Sequence, residues 1–151
     1  MSNQTDLISL SQGDGSALTG VGKVLQVVSA NQTTSMSTTS GTFTDIGLSA
    51  SITPSSASSK VYVVATFAMN TQVSNLSLQT AVFRGATQIS PVVGHYAAAA
   101  GWLQTTNAIN SLDSPATTSS VTYSVKARVS AGAGTISAGD PSTITLMEIA
   151  G

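Results

Sequence analysis

Apolar and polar side chains alternate with a period of two over several separate stretches of the chain. From Thr42 to Met69 this pattern predicts two strands, and one face of the first strand carries Ile46, Leu48, Ala50 and Ile52. A two-residue period places alternate side chains on one face of a strand. The second strand, residues 60–69, is apolar on both faces, which is typical of a central strand covered on both sides. Pro54 and the serines around it predict a polar hairpin that joins the two as antiparallel neighbours.

Further strands are predicted along the rest of the chain, at Lys23–Ala30, Leu76–Arg84, Thr87–Val93, Thr105–Leu112, Val121–Ala131 and Ser142–Ile149. Phe43 and Ile46 are out of phase, which predicts a bulge near Thr44–Asp45. Residues 31–41 read as a polar loop, and residues 94–107 fit either a loop or a strand of small side chains. About eight strands with regularly spaced turns and no helical period predict an all-β fold, a jelly-roll-like two-sheet β-sandwich.

Length and composition restrict the possible functions. The chain has 151 residues, the size of one domain, and no cysteine. Five basic and six acidic residues are too few for a phosphate-binding surface, so neither nucleic acid nor an anionic membrane is an expected partner. Serine and threonine make up roughly 30 % of the chain, a surface chemistry typical of extracellular or virion β-proteins. The sequence contains neither a signal-peptide pattern nor an apolar run of membrane-spanning length.

The first 22 residues differ from the remainder of the chain. They are polar and rich in glycine, and they carry isolated apolar residues, Leu7, Ile8, Leu10 and Leu18. Such a segment is either a disordered leader or an arm that docks on its own domain or on another protein. We therefore expect two parts, an extended N-terminal arm and anchor at residues 1–22 and a β-sandwich domain at residues 23–151.

Residues capable of catalysis are scarce. His95 is the only histidine, and most of the aspartates lie in turn-forming contexts. Glu148, the only glutamate, is expected to face solvent or a cation such as Lys23, Lys126 or Arg128. Neither a catalytic triad nor a pair of glycosidase carboxylates is indicated. The sequence thus predicts a protein that is not an enzyme and has no cofactor and no metal site.

Several predicted strands are apolar on both faces, although the chain is too short to add a covering layer of helices. One face can pack against the partner sheet, but the other must also be covered. Another copy of the same chain is the simplest covering, and soluble proteins usually achieve it with closed cyclic symmetry. The strand pattern therefore predicts a homo-oligomer.

The order of five segments is similar to that of a domain frequent in bacteriophage virion proteins, often the C-terminal β-sandwich part of tail-fibre-like proteins. Those segments are Gly22–Val28, Phe43–Lys60, Arg84–Ile89, Leu112–Thr117 with Tyr123, and Ser142–Ala150. The resemblance covers about residues 23–151. It implies a trimeric β-rich virion component without enzymatic activity, and it supplies no catalytic residues.

Two functions follow as expectations. The first is a homotrimer that decorates the capsid or forms a short fibre, located in the virion, made in the host cytoplasm and bound to other capsid or tail proteins through its arm. The second is a fibre tip that binds a host surface glycan through residues 31–41, residues 94–107 and the turn at Asp113. In that case Trp102, which core packing would also explain, would offer a stacking surface together with Tyr96 and His95.

Overall fold

The computed structural model describes residues 23–71, 75–98, 103–130, 134–136 and 142–151. Within these ranges the chain forms eleven strands and no helix. The strands are β1 Val24–Gln32, β2 Met36–Thr38, β3 Thr44–Ile52, β4 Lys60–Thr71, β5 Leu76–Arg84, β6 Thr87–Gln88, β7 Val93–Ala97, β8 Leu103–Asp113, β9 Val121–Val129, β10 Gly134–Ile136 and β11 Ser142–Ile149. No membrane-spanning helix is found among the described residues. The predicted arm, including Leu7, Ile8, Leu10 and Leu18, lies outside them.

Two antiparallel sheets pack face to face. In the first sheet the long strands lie in the order β1–β11–β4–β8. The short strand β10 pairs with the C-terminal end of β4, and β2 pairs with β10. In the second sheet the order is β3–β9–β5–β7, with β6 also beside β5. The long strands pair from the two ends of the chain inward: β1 with β11, β3 with β9, β4 with β8, and β5 with β7. This is the pairing of one long antiparallel ribbon rolled into a sandwich, so the predicted all-β jelly-roll fold is confirmed.

The predicted hairpin between β3 and β4 is wrong. β3 pairs with β9 in the second sheet, whereas β4 lies between β11 and β8 in the first. Residues 53–59 therefore cross from one sheet to the other. Ile46 and Leu48 of β3 lie in the same buried core as Phe67 of β4, so the two strands meet face to face across the sandwich. An alternating pattern shows which side of a strand is buried but not whether its neighbour in sequence pairs with it at the edge or packs on its face.

Several boundaries also differ from the sequence prediction. The predicted loop at residues 31–41 contains the end of β1 and all of β2, and residues 94–107 include much of β7 and the start of β8. The predicted strand at 87–93 shrinks to β6, because the Ser90 hydroxyl accepts the Val82 amide hydrogen at 2.8 Å in place of a strand partner. The predicted bulge in β3 is present between Asp45 and Ser49.

The core lies between the two sheets and contains the alternate side chains that the sequence predicted to be buried, among them Ile52, Val63, Leu78 and Val125. β4 is central, as predicted, since it pairs with β11 on one side and β8 on the other. Its outward residues Tyr62 and Val64 remain partly exposed. Within the described residues no third layer covers that face.

Candidate interaction surfaces

Glu148 is the second-last residue of β11 and points inward. The prediction that it faces solvent or a lysine or arginine is therefore wrong. Its side chain is fully buried. Oε2 accepts a hydrogen bond from the Gln26 amide at 2.6 Å, and Oε1 accepts bonds from the Ser55 amide at 2.8 Å and the Ser55 hydroxyl at 2.6 Å. The Gln26 amide also donates to the Thr53 carbonyl oxygen at 2.7 Å. The carboxylate thus ties β1, β11 and the crossing segment 53–59 together.

The charge state of Glu148 follows from these contacts. Burial alone raises the pKa of a carboxyl group, but the hydrogen bonds from Ser55 and Gln26 stabilise the ionised form more strongly and lower the pKa of Glu148 to about 2. The group is therefore an anion at neutral pH that is balanced by hydrogen-bond donors. Its role in this position is structural.

A second polar cluster lies where β5, β8 and β9 end or begin. The buried Tyr123 hydroxyl donates to Asp113 Oδ2 at 2.8 Å, and Arg84 Nη1 lies 3.3 Å from the same oxygen. Burial, together with Asp113, raises the pKa of Tyr123. Beside the cluster is an open cleft of about 430 Å³ lined by Arg84, Gly85, Pro115, Ser120, Val121 and Thr122. Because Asp113 already neutralises Arg84, the cleft offers little charge to a ligand.

The two clusters bring together residues from the five sequence segments Gly22–Val28, Phe43–Lys60, Arg84–Ile89, Leu112–Thr117 with Tyr123, and Ser142–Ala150. Gln26 from the first segment and Ser55 from the second both bind Glu148 from the last. Arg84 from the third segment and Asp113 from the fourth meet at Tyr123. Segments far apart in the sequence thus meet at two polar clusters, one buried around Glu148 and one partly exposed around Asp113, which a period-two analysis does not detect.

The three residues proposed for glycan contact do not form one surface within the described residues. His95 faces inward from β7, where its Nδ1 lies 3.1 Å from the Thr105 hydroxyl, and burial lowers its pKa, which favours the neutral imidazole. Tyr96 points outward and is 58 % exposed, with its hydroxyl donating to Asn75 Oδ1 at 2.9 Å. Trp102 lies outside the described residues. Neighbours in a strand point to opposite faces, so His95 and Tyr96 cannot share one surface.

An apolar row crosses the outward face of the first sheet. One apolar side chain from each long strand lies in register with the next, in the order Val27, Met147, Tyr62 and Leu112. Val27 is 58 % exposed and Leu112 is 55 % exposed. Val24 and Ile149 pair at the end of β1 and β11 and extend the row along the strands. We call the four residues Val27, Met147, Tyr62 and Leu112 the outer apolar row.

The outward face of the second sheet is arranged differently. Its large apolar side chains, Phe43 and Phe83, pack against each other with ring centroids 5.3 Å apart. The Lys126 ammonium lies 4.8 Å from the centre of the Phe83 ring, and the Arg128 guanidinium lies 4.6 Å from that of Phe43. Cations therefore cover these two phenylalanine rings, whereas Tyr96 on the same sheet stays exposed. The outer apolar row has no such cover among the described residues.

Sequence analysis predicted surplus apolar surface but not its position. The outer apolar row forms only because three strand pairs, β1–β11, β11–β4 and β4–β8, have matching registers. Those registers are set by the tertiary structure. A partial signal was present, because Tyr62 and Met147 both lie on the second apolar face of their strands. No group of three or more histidine, aspartate or glutamate side chains suited to a metal ion occurs in the described part of the chain.

Comparisons with known proteins give the following results. No family model and no curated protein matches the chain. Among solved structures, VP2 of infectious bursal disease virus in a subviral particle is 13 % identical, with a TM-score of 0.49 over 82 % of this chain and 39 % of that chain. VP2 from the Gx strain of that virus is 11 % identical, with a TM-score of 0.49 over 82 % of this chain and 38 % of that chain. The chain thus spans less than two fifths of these proteins.

Proposed function

We propose that the protein is a non-enzymatic structural component of a bacteriophage virion. In this proposal it assembles as a homotrimer that decorates or stabilises the capsid or forms a short fibre, and residues 1–22 are the arm through which it attaches. Its partners are further copies of itself and other virion proteins. The resemblance of the five segments supports the virion assignment, and the jelly-roll pairing of the strands is consistent with it.

The outer apolar row is the observation that supports assembly, because an exposed apolar surface on one copy can bind an extended segment of another copy. Val27 and Leu112 are each more than half exposed on a sheet face whose other outward residues are mostly threonine, serine and asparagine. A contiguous exposed apolar surface on a soluble domain marks an interaction site. The formal net charge of −1 gives little electrostatic repulsion between copies.

Measurement of molar mass tests the assembly. Light scattering at micromolar concentration is expected to give three times the 15.1 kDa of the chain. A mass of one chain across that concentration range would contradict the homotrimer. Quantitative mass spectrometry of purified phage particles then tests the location, with hundreds of copies expected for capsid decoration and a few to a few dozen for a fibre. Absence of the protein from particles would contradict a virion role.

A second candidate function is recognition of a host surface glycan. The exposed Tyr96 ring favours it, because a solvent-facing aromatic ring held by a hydrogen bond to Asn75 can stack on a sugar. Glycan-array binding by the intact protein that is lost on Tyr96→Ala, but retained on Leu112→Ala at the distant end of the first sheet, would support this function. An array without binding would contradict it.

A further inference from the structure

We propose that the outer apolar row is the docking site of the arm, residues 1–22 of this same chain. The inference rests on the proposed function only in treating residues 1–22 as a binding segment, and it places Ile8 and Leu10 of that segment on the domain of the same copy or of a neighbouring copy. The inference adds the surface that the arm binds. The supporting observations are the position of the row, its dimensions, the sequence of the arm and the distribution of charge.

The arm joins the domain at the edge of the row. Lys23 directly follows it, and the Lys23 carbonyl oxygen accepts the Ala150 amide hydrogen at 2.8 Å, at the end of the β1–β11 ladder. Val24 and Ile149 form the last pair of that ladder and lie beside the row. The residues before Lys23 are Gly20-Val21-Gly22, and glycine permits the backbone to reverse direction.

The dimensions fit an extended segment better than a second copy of the domain. Four strands spaced by about 4.8 Å make the row about 14 Å wide, and with Val24 and Ile149 the surface covers roughly 300 Å². A stable interface between two domains buries about 800 Å² on each. A few residues of extended chain cover the row fully. The 13 residues from Leu10 to Lys23 can span up to about 43 Å, which is ample.

The arm has the pattern that such a face requires. Ile8 and Leu10 alternate with Ser9 and Ser11, so an extended segment with this sequence presents two large apolar side chains on one side. The row accepts side chains from one side only, because its other side is the sandwich core. Ile8 and Leu10 therefore match the row in chemistry, and both can contact it from the same side of an extended segment.

Charge also matches between the arm and its proposed site. Residues 1–22 contain two acidic side chains, Asp6 and Asp14, and no lysine or arginine. Lys23 and Lys60 lie beside the row, at the strand ends near which the arm begins, and Lys60 pairs with Ile149. Both lysines are exposed. An acidic segment that docks on the row would lie beside these two ammonium groups, which favours this orientation.

Disulfide trapping tests the proposal directly, because the chain has no cysteine. In the full chain, Ile8→Cys is combined with Leu112→Cys at the far edge of the row. The matched control combines Ile8→Cys with Ser51→Cys, an exposed position on the outward face of the second sheet. Under mild oxidation we expect the first pair to form its disulfide at least tenfold faster than the control pair.

The outcomes separate the alternatives. A disulfide within one chain, or one between chains joining position 8 to position 112, supports docking of the arm, and the second form also shows that the arm links copies. Equal rates for the two pairs would overturn the proposal. Rapid dimerisation of Leu112→Cys alone would also overturn it, since a second row would then cover the first. Absence of the protein from virions would leave the trapping result unchanged.

A measurement without cross-linking gives an independent check. Ile8→Ser combined with Leu10→Ser uncovers the row if the arm docks there, so we expect fluorescence of a hydrophobic dye such as anilinonaphthalene sulfonate to rise at least twofold. Ser9→Ala combined with Ser11→Ala alters the opposite side of the same segment and serves as the control. An unchanged signal in the first variant, with the circular dichroism of the native fold retained, would count against the docking site.

Discussion

At the scale of single residues, Glu148 is the most consequential side chain in the described structure. It is a buried ionised carboxylate, whereas the other buried side chains are apolar or uncharged. A buried charge is tolerated only when it is paired or fully hydrogen-bonded, and here Gln26 and Ser55 supply the donors. Because these donors come from β1 and from the crossing segment, Glu148 holds in place the point where the chain passes between sheets.

Glu148→Gln is expected to destabilise the protein by about 2 kcal/mol at pH 7, because an amide satisfies the Ser55 and Gln26 donors less well than a carboxylate. In the native protein the pKa of Glu148 is about 2, below the 4.5 of an unperturbed glutamate. Its stabilising effect is therefore complete above about pH 4.5 and declines as the pH falls towards 2. Urea unfolding at pH 7 and pH 3 measures both effects, and the decline should be smaller in the variant.

The matched control is Asp45→Asn. Asp45 is an exposed carboxylate whose Oδ1 accepts the Gly47 amide hydrogen at 2.8 Å, a bond that asparagine can also accept. We expect it to cost no more than about 0.5 kcal/mol at pH 7, because the hydrogen bond from Gly47 is retained. A loss of stability at pH 7 as large for Asp45→Asn as for Glu148→Gln would contradict a special role for the buried carboxylate.

At the scale of elements, the approach of β7 to β5 depends on Gly94. A Cβ atom at this position would clash with the Leu78 carbonyl oxygen and lie 3.1 Å from Gln79 Cα. Both obstacles are backbone of the paired strand and cannot rotate away. The short strand β7, which carries His95 and Tyr96, can therefore pair closely with β5 only because residue 94 has no side chain.

Gly94→Ala is expected to displace β7 and to destabilise the protein by about 2–3 kcal/mol, measured by urea unfolding. Gly85→Ala is the comparison, because Gly85 has a φ of +57° but open space around its Cβ position. The expected cost there is about 1 kcal/mol, from backbone conformation alone. A larger loss for Gly85→Ala than for Gly94→Ala would contradict the steric argument.

At the scale of the whole molecule, the jelly-roll pairing joins parts of the chain that are very distant in sequence. β1 pairs with β11, and β3 pairs with β9. Glu148 adds a side-chain connection between the last strand and residues 26 and 55. These contacts form only after distant parts of the chain have come together. Closing such long loops costs conformational entropy, and the contacts offset that cost only once they are made.

Refolding of the monomeric chain from urea is therefore expected to take milliseconds to seconds, as is typical of all-β domains with non-local pairing. Stopped-flow fluorescence at low protein concentration measures the rate. Gln26→Ala weakens the connection between β1 and Glu148 and should mainly accelerate unfolding if that contact forms late. Complete refolding in less than a millisecond would contradict this view of the topology.

The sequence was sufficient to assign the fold class and most of the buried faces. The alternation from Ile46 to Ile52 and from Val121 to Val129 needs only a local period of two, and both predicted buried faces are confirmed. Turn-forming residues correctly predicted the positions at which several strands end. These features depend on residues within a few positions of one another in the sequence, so they can be predicted from the sequence alone.

The remaining features depend on residues brought together by folding. The crossing of residues 53–59 between sheets, the burial of Glu148 and the register that aligns Val27 with Leu112 involve partners from distant strands. The alternation of Tyr62 with its neighbours indicates an apolar second face, but only the pairing of β1, β11, β4 and β8 turns four separate side chains into one surface. A local pattern fixes the face on which a side chain lies, whereas its neighbours on that face are set by long-range strand pairing.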